Sequence, residues 1–215
     1  MAGIESPTTG NGLEIDSGFR AARVSVRPPE ILSWISLGVQ SGALATTTAG
    51  GSVFAFRNMS AKLILVRRIG VGFIATTGYT AAQRIDLGLQ VARNYTVSES
   101  AGTPITVTGA NGKHRTSLTT PSSLDIRIAA TGQLTAGVRT LDVNTLSQIG
   151  GFAAAAATGV IIPPALGNLF SHDTGDYPLV LAQNEGFVIT TPTALGAGGV
   201  AALYVNLEFA ECDSF

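Results

Sequence analysis

From Ile85 to Val91 every second residue is apolar, with Asp86, Gly88 and Gln90 between Ile85, Leu87, Leu89 and Val91. Successive side chains of an extended strand point to opposite faces, so this spacing lines up one apolar face; a helix would scatter the same groups around its circumference. The spacing therefore predicts a strand, although Ala81, Ala82 and Gln83 just before it would tolerate a helical turn. The same period of two recurs at Leu124, Ile126 and Ile128 around Asp125 and Arg127, and again through Val138–Val143. It returns at Leu203, Val205, Leu207 and Phe209, set against Tyr204, Asn206 and Glu208.

Shorter β-favouring runs occupy Ile31–Val39, Gly51–Phe56, Ile105–Thr108, Leu179–Leu181 and Gly186–Thr190. Lys62–Phe73 reads as a buried strand, Leu63–Val66, followed by a bent one in which glycines separate Ile69, Val71 and Phe73. Turn signals lie between the runs, among them Asn111-Gly112, a pair suited to positive φ. Gly150–Leu169, with its alanine run, glycines and Pro163-Pro164, predicts a long ordered loop or a short helix and not a central strand. About eight to ten short strands without a strand-helix rhythm or an internal repeat predict one all-β domain. The expected architecture is a single antiparallel β-sandwich, jelly-roll-like, over residues 31–215, with an extended N-terminal arm over residues 1–30. Leu13, Ile15 and Phe19 are isolated apolar points in that polar arm, which ends at Pro28 and Pro29. Such an arm cannot bury them alone, so Leu13, Ile15, Phe19 and the adjacent Arg20 are the expected assembly contacts, on the parent domain or a neighbouring subunit.

Charged residues make up 13% of the chain, about half the roughly 25% usual for soluble domains. Something must cover so much uncharged surface. The longest apolar runs, such as Gly150–Ala157, are rich in alanine and glycine and fall short of the ~20 residues of a spanning helix, so the expected cover is protein, not membrane. Thirteen basic and fourteen acidic residues leave a net charge of −1, which offers no phosphate-neutralising face for nucleic acid and favours association. Cys212 is the single cysteine, so neither an internal disulfide nor a cysteine-built zinc site is expected within one chain. Residues 1–12 have neither a basic start nor an apolar core, so no signal peptide is expected, and the sequons at Asn58 and Asn94 read as chance.

Little in the chain looks like catalytic chemistry. Ser171, His172 and Asp173 hold the three residue types of a hydrolase triad, but adjacent residues cannot adopt the nucleophile, base and orienting geometry. His172, Asp173 and Asp176 read as a hydrogen-bonded loop in preference to a metal site. His114, between Lys113 and Arg115, reads as solvated surface. Asp125 with Arg127, and Arg139 with Asp142, are expected to form cross-strand pairs on an exposed face. Arg67-Arg68 suggests either a grip on an acidic partner or one buried arginine pairing, the second being preferred. The glycines at 70, 72 and 78 and at 196, 198 and 199 lack the strand-turn-helix context of a nucleotide-binding loop. No cofactor and no metal are expected, and no enzyme.

Three stretches carry a family resemblance: Asn111-Gly-Lys-His-Arg-Thr-Ser117; Asp125-Ile-Arg-Ile128 with Leu134-Thr-Ala-Gly-Val-Arg-Thr-Leu-Asp142; and Pro178-Leu-Val-Leu-Ala-Gln-Asn-Glu-Gly-Phe-Val-Ile189. In this order they resemble tailed-bacteriophage virion structural proteins, over about the C-terminal two-thirds of the chain. The resemblance implies a capsid decoration or cement protein on the capsid exterior, assembled in the host cytoplasm. Its implied partners are the major capsid protein and copies of itself, as a trimer or dimer, and it brings no catalytic residues. The alternative is a tail- or fibre-associated β domain that binds a host receptor or glycan, for which Tyr177, Asp173 and Asp176 form the one suitable cluster.

Overall fold

A computed structural model describes residues 14–16, 21–23, 34–107, 112–114, 121, 123–155, 167–172, 177–196 and 198–212. The chain divides into two units, Met1–Leu32 and Ser33–Phe215. In the first, β1 (Glu14–Asp16) and β2 (Ala21–Arg23) pair antiparallel, Ile15 opposite Ala22. The arm expected to be extended thus carries a short strand pair.

The second unit is built from β3 (Ile35–Gln40), β4 (Gly51–Asn58), β5 (Leu63–Thr77), β6 (Gln83–Val97), β7 (Gly102–Ile105), β8 (Leu124–Ala129), β9 (Val138–Leu141), β10 (Ser147–Ala153), β11 (Gly167–Ser171), β12 (Leu179–Leu181), β13 (Gly186–Thr191) and β14 (Val200–Cys212). Its described residues contain no helix. One sheet runs β10-β6-β13-β4-β8-β7, with β9 also on β6; the other runs β11-β5-β14-β3, with β12 also on β5. Every pairing between these strands is antiparallel. Take β3, β4, β5, β6, β10, β11, β13 and β14 as first to eighth. One sheet then reads sixth-third-eighth-first and the other fifth-fourth-seventh-second, the interleaving of a jelly roll. The β7–β8 pair is an insertion that extends the larger sheet beyond β4.

The alternation of Ile85–Val91 does form a strand, and it sends Ile85, Leu87, Leu89 and Val91 into the core. Phe56 and Phe187, facing each other in register on β4 and β13, stack with ring centroids 5.2 Å apart. Phe209 of β14 meets Phe56 edge-on, also at 5.2 Å, joining one sheet to the other. Such pairs add about 0.5–1.5 kcal/mol to the burial of the rings themselves.

Several boundaries differ from the sequence reading. Lys62–Phe73 does not split into two strands; β5 runs unbroken to Thr77 because β14 pairs along its whole length, with Glu208 opposite Arg68 and then Phe209 opposite Val66 absorbing an irregularity. The run expected at Ile105–Thr108 lies earlier, in β7, where Pro104 is tolerated because β7 is the last strand of its sheet. Gly150–Ala153, expected in a loop or helix, completes β10 against β6. The carboxylate of Asp86, directly opposite Gly150, occupies the space a Cβ at 150 would need, so glycine belongs there in the strand. Residues 156–166 of that expected loop lie outside the described residues. Asn58, read as a chance sequon, is buried, and its Nδ2 donates to the carbonyls of Lys62 at 2.8 Å and Leu181 at 3.1 Å.

Candidate assembly surface and polar clusters

The exposed large apolar side chains concentrate on one edge. β9 pairs with the Ala92–Val97 end of β6 and β10 with its Gln83–Leu89 end, so the two strands follow each other along the outer side of β6. Val97 and Val138, opposite each other, are 52% and 59% exposed. Val143 and Leu146 lie in the connection from β9 to β10, and Phe152 on β10; they are 96%, 50% and 62% exposed. Single exposed apolar residues are ordinary, but these five follow one another along one sheet edge. Arg93 sits beside this row, its Nε 2.9 Å from Asp142 and its Nη1 3.1 Å from Glu185, and these carboxylates raise its pKa. Arg93 and Asp142 are exposed and Glu185 partly so, and Arg93→Ala should lower stability by less than about 1 kcal/mol in urea unfolding.

A second cluster lies on the solvent face of the smaller sheet. The backbone N–H of Ser36 donates to the carbonyl of Gly112 at 2.8 Å and that of His114 to Trp34 at 2.8 Å, so the positive-φ turn at Gly112 lays His114 over β3. His114 Nε2 then lies 2.7 Å from Ser36 Oγ, and its Nδ1 4.0 Å from Glu208 Oε1. Serine, histidine and glutamate thus stand in the order of a hydrolase relay, from positions 36, 114 and 208, which no local motif could reveal. The arrangement falls short of one in two ways. The acid is beyond hydrogen-bond reach of the imidazole, and the N–H of Ser36 is already committed to Gly112. Arg67 Nη1 approaches Glu208 at 3.4 Å and its guanidinium stacks over the Trp34 ring at 5.9 Å. This is the arginine pairing expected of the Arg67-Arg68 pair, but on a partly exposed side chain and not a buried one.

The third cluster is buried. Arg139, 7% exposed, holds Glu99 Oε1 at 2.8 Å and donates to Ser52 Oγ at 2.8 Å. Glu99 Oε2 accepts the N–H of Gly137 at 2.5 Å. The Tyr95 ring takes the guanidiniums of Arg57 and Arg139 at 5.8 and 5.9 Å. Burial raises the Glu99 pKa against the lowering effects of Arg139 and of the Gly137 N–H. Burial, then the neighbouring Glu99 charge, raises that of Tyr95. Arg139 also lines a cleft of about 340 Å³ with Thr48–Ser52 and Gln133–Ala136.

The expected ion pairs are therefore re-sorted. Asp125 and Arg127 pair at 3.0 Å along one strand, not across two, because residues two apart share a face. Arg139 turns to Glu99 and Asp142 to Arg93, so the expected Arg139–Asp142 pair does not form. Of the expected assembly contacts, Leu13, Phe19 and Arg20 lie outside the described residues, and Ile15 is described only as a backbone position in β1. Ser171 ends β11 and the His172 N–H donates to the Arg67 carbonyl at 3.0 Å, while Asp173 and Asp176 lie outside the described residues. Among the described residues no three His, Cys, Asp or Glu side chains gather as metal ligands. No family model matches the chain, and neither a curated protein nor a solved structure matches it.

Proposed function

We propose that this chain is a non-catalytic structural protein of a virion, which decorates and cements the capsid exterior by bridging major capsid protein subunits. The observation that carries the reading is the exposed apolar row Val97, Val138, Val143, Leu146 and Phe152 on one edge of a charge-poor sandwich. A neighbouring subunit that covers part of this row removes apolar area from water, worth about 25 cal/mol per Å² before the costs of association. A protein that binds only the assembled shell also stabilises that shell by mass action. The jelly-roll strand order supports the reading as an analogy, since viral capsid domains use it, as do lectins, and fold alone assigns no function. The near-zero net charge fits protein partners better than nucleic acid.

The experiment is made on tail-free heads of the virus that encodes the chain. The chain should be present in them, and heads assembled without it should lose resistance to heat and chelators. Its absence from heads, or unchanged resistance after its removal, defeats the reading. The second reading, a tail- or fibre-associated domain for a host receptor or glycan, draws on Tyr177, 85% exposed, and on the polar cleft at Arg139. Saturable binding on a glycan array, with no affinity for shells, would favour it.

A further inference from the structure

We infer that β10 is a self-pairing edge, through which two copies of this chain join their larger sheets antiparallel about a two-fold axis at Gly150. Among the described residues nothing pairs with the outer side of β10, which ends its sheet. Exposed edges are commonly protected by charge, proline, a bulge or brevity. β10 has none of these: Ser147-Gln-Ile-Gly-Gly-Phe-Ala153 is uncharged and free of proline, it is seven residues long, and its register against β6 is unbroken. Among the described residues this edge is left unguarded, and such a strand is a template for another strand.

The occupant that fits is the same strand. A two-fold at Gly150 places Ile149 opposite Gly151 of the second copy, and Phe152 opposite its Gln148. Large side chains then face small or uncharged ones, no like charges meet, and the axis passes a residue without a side chain. Continuing outward, Leu146 meets Ala154 of the second copy, so an exposed leucine gains a shallow alanine surface that is itself exposed. A two-fold contact requires this self-complementarity of one patch, and paired edges bring backbone hydrogen bonds as well as side-chain burial. The inference concerns contacts between copies and deepens the assembly reading, since a paired copy presents two rows of Val97, Val138 and Val143 to a shell.

The test is sedimentation of the full-length purified chain. The wild type should form a dimer or an even-numbered oligomer. Q148K/F152K, which sets lysines against lysines across the axis, should weaken self-association about tenfold or more with an unchanged unfolding midpoint. In a Cys212→Ala background, Q148C and F152C copies mixed under oxidising conditions should cross-link, and neither should do so alone. A monomeric wild type, an oligomer that survives the lysine pair, or failure of the mixed cross-link overturns the β10 pairing, whatever the chain does on shells. A β10 dimer with no affinity for shells would overturn only the capsid role.

Discussion

Phe187→Ala should lower the free energy of unfolding by about 3–5 kcal/mol. Phe187 is fully buried, stacked on Phe56 at 5.2 Å and on Phe54 at 6.0 Å, and Phe56 in turn carries the edge-on contact to Phe209 of the facing sheet. Truncation leaves a ring-sized void at the junction of two strands that the jelly roll brings together from opposite ends of the chain. The walls are β-strands in register on both sides, so they cannot collapse inward to fill it. Urea unfolding monitored by far-ultraviolet circular dichroism measures the loss. A change below about 1 kcal/mol would mean that the sheets do not pack through this aromatic group.

The second large effect is expected at Arg139. Arg139→Leu leaves the Glu99 carboxylate buried, 1% exposed, without its cation, and removing one partner of a buried pair costs about 3–5 kcal/mol. The double variant E99Q/R139L should recover much of the loss, because no buried charge remains. The pH dependence has a definite sign. The Glu99 pKa is already raised from 4.5 by burial, and removing Arg139 deletes the main influence that lowers it. A carboxyl whose pKa is raised on folding binds its proton more tightly in the native state, so its contribution is full below the unfolded value and lost as pH rises through the folded value. Arg139→Leu should therefore approach wild-type stability as pH falls towards about 4, and the gap should widen above that. Unfolding at a series of pH values reads this directly. A gap that does not change with pH would place the cost in packing and not in the carboxylate.

The parts of this molecule that alternate are the parts that could be read in advance. Ile85–Val91 and Leu203–Phe209 are strands with one face in the core, and period two is the direct imprint of that burial. β10 was hidden because Gly150, Gly151 and Ala153 carry no apolar alternation; what makes them a strand is β6 beside them, with the Asp86 side chain filling the space over Gly150. Pro104 disguised β7 for a related reason, since its tolerance depends on an edge position that only the topology reveals. The polar clusters were hidden by distance along the chain. Glu99 and Arg139 lie forty positions apart and meet because the segment holding Gly137 runs back past Glu99. His114 is exposed, as its basic tripeptide suggested, but its contact with Ser36 depends on the turn at Gly112, which lies far from Ser36 along the chain. The low charge raised the expectation of exposed apolar residues, but not of their concentration along β9 and β10.

The most direct measurement of the central claim is a density map of intact particles assembled with this chain, against particles assembled without it. A difference density the size of one sandwich per site is expected on the outside of the shell, astride adjacent capsid subunits, with the Val97–Val138 edge turned inward. Identical maps, with the purified chain remaining a freely soluble monomer in the presence of shells, would contradict it.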